Sequence, residues 1–230
     1  AASDVYKRQD KGRILDRNRF VMTNTIDLYA NYNRKIGEDF ELGAMVGHSF
    51  LKTRSRTSYI DAQNYPSPAF DVASVAANIV DASAGLSEYA IESYFARLSL
   101  AYKDRYVVNA TIRTDGSSRF APNTRWGYFP AASVGWRVSD ESFLRDVKWI
   151  DDLKLRLSVG VTGNAQIGNS EYLQLYGSTN IDLGNGLRPQ VYPSQIANPD
   201  LGWERNTQYD VGLDLSFWKG TLGLTADYYY

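Results

Sequence analysis

The sequence predicts an all-β fold: an antiparallel up-and-down transmembrane β-barrel, with about eight strands marked along the chain. Three observations lead there. Apolar and polar residues alternate with a period of two in segment after segment between Phe20 and Tyr230, as strands with one greasy face require. The connections run short, long, short, long, as in a barrel whose two rims differ. Tyr32, Phe40, Tyr102, Tyr106, Trp136, Trp149 and Trp218 fall beside the short turns, where an interfacial aromatic girdle would sit. A soluble β-sandwich also alternates and buries aromatics, so it stands as the competing architecture.

Each strand is justified by its own register. Over 20–33 the even positions Phe20, Met22, Ile26, Leu28, Ala30 and Tyr32 oppose Thr23, Thr25, Asp27 and Asn31. A turn at Lys35–Asp39 leads into Phe40, Leu42, Ala44, Val46 and Phe50, so a strand over 40–51 pairs back on the first. Residues 52–90 form a linker well beyond the roughly 15 residues of an ordinary loop. Within it Ser67-Pro68 precedes Phe70, Val72, Ala73, Ala76, Ala77 and Val80, which predicts a short surface helix with proline in its first turn. Strands follow at 91–103 and 105–114 around a tight turn at Lys103-Asp104-Arg105.

The Gly-, Ser-, Pro- and Asn-rich run 115–127 reads as a loop, and 127–138 as a strand carrying Tyr128, Pro130, Ala132, Val134 and Trp136. Ser139–Asp146 predicts one helical turn, with Asp140 and Glu141 early and Arg145 late as the helix dipole favours. Over 153–164 the apolar register moves to odd positions, Leu153 to Val161. A second long loop, 165–203, precedes strands at 204–218 and 220–230 joined at Lys219-Gly220. A twelve-residue strand at about 3.3 Å per residue and a tilt near 45° rises roughly 28 Å, the depth of a hydrocarbon slab.

Composition excludes several classes. The chain has 230 residues with 17 Tyr, 9 Phe and 5 Trp but 2 Met and no Cys, which suits a compartment where stray disulfides are a hazard. A net charge of -1 gives no basic face for nucleic acid. No apolar run reaches the roughly 18 residues of a transmembrane helix, which leaves β-barrels untouched. No secretory leader is visible in the polar residues 1–10.

Certain runs carry a family likeness. Asp115-Gly116-Ser117-Ser118-Arg119-Phe120, then Arg125-Trp126-Gly127-Tyr128-Phe129-Pro130 and Gly135-Trp136-Arg137, together with Leu153-Lys154-Leu155-Arg156, Gly163-Asn164, Asn198-Pro199-Asp200-Leu201 and Asp227-Tyr228-Tyr229-Tyr230, resemble the SusC/RagA family of TonB-dependent outer-membrane transporters. Ser170 departs from the aromatic residue expected after Ile167-Gly168-Asn169. The resemblance implies a barrel of about 22 strands plugged by an N-terminal domain, located in the outer membrane of a Gram-negative bacterium. It implies outer-membrane lipid, the TonB complex (engaged through the plug region), a SusD-like surface lipoprotein, and an oligosaccharide or peptide substrate as partners. The expected division is a non-native or disordered tail at 1–12 and a partial barrel domain at 13–230, without the plug and truncated at both ends. The alternative function is a secreted, β-rich carbohydrate-binding or adhesin-like module.

The chemistry expected is binding rather than catalysis, with no cofactor and no metal. His48 is the sole histidine, so neither a triad nor a zinc cluster assembles around it. The acid pairs Glu38-Asp39 and Asp151-Asp152 sit in short connections, where such residues are ordinary turn formers. Gly116 lacks the Lys and helix of a phosphate loop. The loop aromatics Tyr172, Tyr176, Tyr192 and Trp203 are the candidates for stacking on substrate; packing within the loops is the competing role. Arg97, Arg113, Arg137 and Arg156 recur on polar strand faces and are the candidates for facing the lumen or the plug.

Overall fold

The computed structural model describes residues 12–67, 69, 70, 72–144, 147–182, 184 and 186–230. The expected tail at 1–12 therefore lies, apart from Gly12, outside the described residues. Among the described residues ten strands form: β1 Arg13–Ile36, β2 Phe40–Gln63, β3 Asn78–Tyr102, β4 Tyr106–Ser117, β5 Trp126–Arg137, β6 Ile150–Asn164, β7 Leu175–Asp182, β8 Leu187–Gln195, β9 Glu204–Phe217 and β10 Leu222–Tyr229. Eight of them make one antiparallel sheet in the order β1-β2-β3-β4-β5-β6-β9-β10, while β7 and β8 pair only with each other. All eight expected strands are present as sequential hairpins, and β1 and β10 stand at the open ends of the order.

The chain divides into two compact units. The larger comprises 25–51 and 90–230. Its short turns are tight: in Tyr102–Arg105 both central residues, Lys103 and Asp104, are left-handed with φ of 53°, and the Arg105 amide donates to the Tyr102 carbonyl at 3.0 Å. That is the hairpin geometry whose twist matches the flanking strands. The smaller unit comprises 12–24 and 52–89 and is built from the outer halves of β1, β2 and β3. Thr23 and Thr53 bond across strands at 3.1 Å, Arg54 pairs with Glu88 at 2.9 Å, and Arg13 holds the buried Asp61 at 2.6 Å.

Four sequence expectations are corrected. The 52–90 linker is mostly strand, since β2 continues to Gln63 and β3 begins at Asn78. The expected helix after Ser67 is a single 3-10 turn at Ala73–Val75, and Pro68 lies outside the described residues. Branched Val72, Val75, Ile79 and Val80 favour extended backbone over the helix that the alanines suggested. The loop 165–203 contains the β7–β8 hairpin, hidden because Pro189 and Pro193 lie inside β8 and proline ordinarily argues against a strand. The helical turn expected at 139–146 is a 3-10 turn at Val138–Asp140, followed by a further tight turn from Glu141 to Leu144; Arg145 and Asp146 lie outside the described residues.

Candidate functional site on the polar face

The strand pairing sorts the larger unit into two faces. Across β4, β5, β6, β9 and β10 the residues Val108, Val134, Leu157, Val211 and Tyr228 stand opposite one another in turn. One position over, Asn109, Ser133, Ser158 and Asp210 do the same. One face is thus an uninterrupted apolar surface, and the other is polar from strand to strand. On the apolar face the rings of Phe40, Tyr102, Tyr106 and Trp136 form a belt beside the short turns, with successive centroids 4.5, 6.2 and 6.4 Å apart.

Glu141, in the turn below β5, ties this belt down. It accepts hydrogen bonds from the Tyr106 hydroxyl and from Trp136 Nε1 at 3.1 Å, and pairs with Arg105 at 3.1 Å. The Tyr106 hydrogen bond, then that of Trp136 and the Arg105 charge, hold its carboxyl below the usual glutamate value. Sequence reading placed Glu141 as a helix-dipole residue and missed this role; the adjacency of an acid to a girdle Trp was the available signal.

The polar face carries the four arginines, and they divide by partner. Arg156 bridges three strands, bonding Asp214 of β9 at 2.8 and 3.1 Å and Asp227 of β10 at 2.7 Å. Gly212 makes this possible, because a Cβ there would lie 2.6 Å from both Arg156 Cζ and Asp227 Oδ1. Arg113 bonds Asp115 at 2.8 Å and Ser93 at 3.0 Å. Arg137 lies 3.6 Å from Asp152 and 3.8 Å from Asp140. Arg97 is exposed and has no carboxylate partner among the described residues. Between Arg97 and Arg156 the face is floored by small residues, with a concavity of about 360 Å³ lined by Asn109, Thr111, Ser133, Ser158, Gln208 and Asp210.

The four loop aromatics are not brought together. Trp203 is a packing residue: its ring meets Phe120 at 5.4 Å and Phe129 at 5.2 Å, and its Nε1 donates to the Arg125 carbonyl at 2.8 Å. Phe120 is fully buried and Phe129 nearly so, which explains the Asp-Gly-Ser-Ser-Arg-Phe run as the foundation of a small core. Gly163 and Gly127 leave room for the Phe129 ring, where a Cβ would come within 2.2 and 2.4 Å. Arg119 fastens the same loop to 165–169 through Asn169 Oδ1 at 3.0 Å and the Ala165 carbonyl at 2.8 Å. Tyr192 leans over Gly177 in the β7–β8 hairpin, Tyr176 is exposed, and Tyr172 is half-buried.

Among the described residues no group of three His, Cys, Asp or Glu side chains is placed to hold a metal ion. His48 faces Glu92 at 3.2 Å and lies against Tyr94, with ring centroids 4.8 Å apart. The acid pairs serve their turns: Asp39 meets Lys103 at 3.5 Å, Asp152 accepts from Ser139, and Asp151 accepts from the Gly220 amide.

A family model described as TonB dependent receptor-like, beta-barrel, matches residues 2–230. The chain belongs to this family. It is 33% identical over 228 residues to TonB-dependent receptor P39 of Formosa agariphila, covering 96% of this chain and 21% of that protein. It is 33% identical over 210 residues to TonB-dependent receptor SusC of Bacteroides thetaiotaomicron, covering 89% of this chain and 20% of the relative. The chain thus spans about a fifth of the length of these curated relatives. In fold it is similar to the RagAB peptide transporter, with a TM-score of 0.84 and 24% identity over 94% of this chain and 24% of that one. The resemblance read from the motifs and the antiparallel barrel fold hold, and the family places this protein in the outer membrane of Gram-negative bacteria.

Proposed function

We propose that this chain supplies barrel wall and extracellular loops to a TonB-dependent importer of oligosaccharides or peptides. The observation that carries the reading is the two-faced register: an apolar surface continuous across strands suits lipid, and a polar one stitched by Arg156 and Arg113 suits a water-filled interior. The apolar face meets lipid and the polar face lines the lumen. A SusD-like lipoprotein at the surface and the TonB complex, reached through a plug domain, complete the machine. The role of its relative SusC, a TonB-dependent receptor, supports the TonB partner. The relatives are receptors and transporters, and this protein acts without catalysis.

Within that reading, Arg113, Arg137 and Arg156 brace the wall, while Arg97 is left to meet the plug or a passing substrate. Tyr172, Tyr176 and Tyr192 remain the aromatic candidates for recognition, because Trp203 is committed to the core beside Phe120. The test removes 176–194, the β7–β8 hairpin without its anchors, from the full-length transporter. Growth on the transported oligosaccharide or peptide should fall while heat-modifiable barrel assembly stays intact. Unchanged uptake would remove the hairpin from recognition, and a full-length protein that stays soluble without detergent would favour the secreted module instead.

A further inference from the structure

The smaller unit carries two adjacent cationic groups that have no carboxylate partner among the described residues. Odd-numbered residues of the outer half of β1 share one strand face, and three of them are Arg13, Arg17 and Arg19. Arg13 is neutralised by the buried Asp61 at 2.6 Å. Arg17 and Arg19 are not neutralised. The Arg17 guanidinium lies 5.4 Å from the centroid of the Tyr59 ring, and Arg19 Nε donates to Ser55 Oγ at 3.1 Å. Neither has a carboxylate within ion-pair distance among the described residues.

None of the nearby described acids forms an ion pair with Arg17 or Arg19. Asp16 belongs to the even-numbered face and accepts from Asn18 at 3.0 Å. Glu88 is held by Arg54. Gly85 stands against Thr57, so four residues further along each antiparallel strand Asp81 comes beside Asp61, at the Arg13 end of the face. Two guanidiniums two residues apart, about 7 Å along the strand, are left exposed. Around them run the hydroxyls of Thr23, Thr53 and Ser55, two of which already bond each other at 3.1 Å.

We propose that this face, Arg17 and Arg19 with Tyr59 and the Thr/Ser row, binds an acidic oligosaccharide, one whose sugars carry carboxylates. Charge complementarity selects the anion, since guanidinium forks match planar carboxylates in geometry as well as sign. The hydroxyl row and the Tyr59 ring select a sugar over an acidic peptide, because neighbouring sugar hydroxyls can exchange hydrogen bonds with Thr and Ser while a ring offers an apolar face. This deepens the importer reading and rests on it: the site names the chemical class of substrate.

The experiment measures binding to the full-length transporter in detergent, using a hexamer of galacturonic acid and the same hexamer with its carboxyls methyl-esterified. The free acid should bind at least ten-fold more tightly, with the preference shrinking as salt rises. Arg17→Gln with Arg19→Gln should abolish the preference and leave the esterified hexamer unaffected. Arg17→Lys with Arg19→Lys should retain part of it, and Arg54→Gln, whose partner is Glu88, should leave it unchanged. Equal binding of the two hexamers, a preference that survives the double glutamine variant, or tighter binding of hexaglutamate would each overturn the proposal. Uptake by the unaltered transporter reports separately on the importer reading. A protein that imports a neutral oligomer without charge preference overturns this inference and leaves that reading standing.

Discussion

Replacing Gly212 with alanine adds one methyl group and should uncouple three strands. The new Cβ would stand 2.6 Å from Arg156 Cζ and from Asp227 Oδ1 and 2.7 Å from Arg156 Nη2. These atoms are the ends of flexible side chains, so they swing aside and the backbone stays. What is lost is the bridge from β6 to Asp214 and Asp227. The side chains of Arg156, Asp214 and Asp227 are 35%, 32% and 42% exposed, so solvent screens the pairs. Two such pairs at about 0.2–1 kcal/mol each give a cost of roughly 0.5–2 kcal/mol. The measurement is urea unfolding of the full-length protein in lipid vesicles, read as loss of heat-modifiable mobility. In an Arg156→Met background the same alanine should cost nothing, or gain up to about 1 kcal/mol from reduced backbone entropy in the unfolded chain. If Gly212→Ala costs the same in both backgrounds, the double-mutant cycle shows no coupling and the account of Gly212 is wrong.

Other perturbations separate the remaining parts. Gly163→Ala should cost more than Gly212→Ala, about 1–3 kcal/mol, because the group it strikes is the buried Phe129 ring, which has no free end to move; the same unfolding assay ranks the two. Val134→Arg should cost about 2–4 kcal/mol in a bilayer folding assay and Ser133→Arg much less, and equal penalties would refute the assignment of faces. Glu141 has a folded pKa below its usual value of 4.5, so its contribution is complete above that pH and is lost as the pH falls through the folded value. Acid unfolding of Glu141→Gln should accordingly lack that part of the pH dependence below about pH 4.5, and an unaltered acid profile would show that the contacts of Tyr106 and Trp136 are immaterial.

The strands that cross the membrane were legible because lipid imposes a rule on sequence: every second residue from Leu98 to Tyr102, or Leu153 to Val161, has to be apolar. The rule lapses in the outer halves of β2 and β3. There Arg54, Arg56 and Ser58 share a face and Thr53, Ser55 and Thr57 the other, so strand pairing persists without any hydrophobic period to announce it. The arginines were readable as polar-face residues, but their satisfaction was not. Asp227 lies 71 residues from Arg156, and only the folded register reveals which charge is already held. Trp203 illustrates the same limit, since an aromatic in a loop looks identical in sequence whether it awaits a sugar or fills a gap beside Phe120.

The core around Phe120 also carries a temporal meaning. Its links from Thr124 to Leu201 and from Trp203 to Arg125 join residues 77 and 78 positions apart, whereas the β3–β4 turn closes over Lys103–Arg105. Loop-closure entropy must be met before such distant contacts return anything. β9 therefore has to zip onto β6 before Trp203 can reach its slot, and the core becomes a late event of assembly. Until then the segment around Arg119–Arg125 stays open to a protease, so its protection marks the moment when this part of the wall has finished folding.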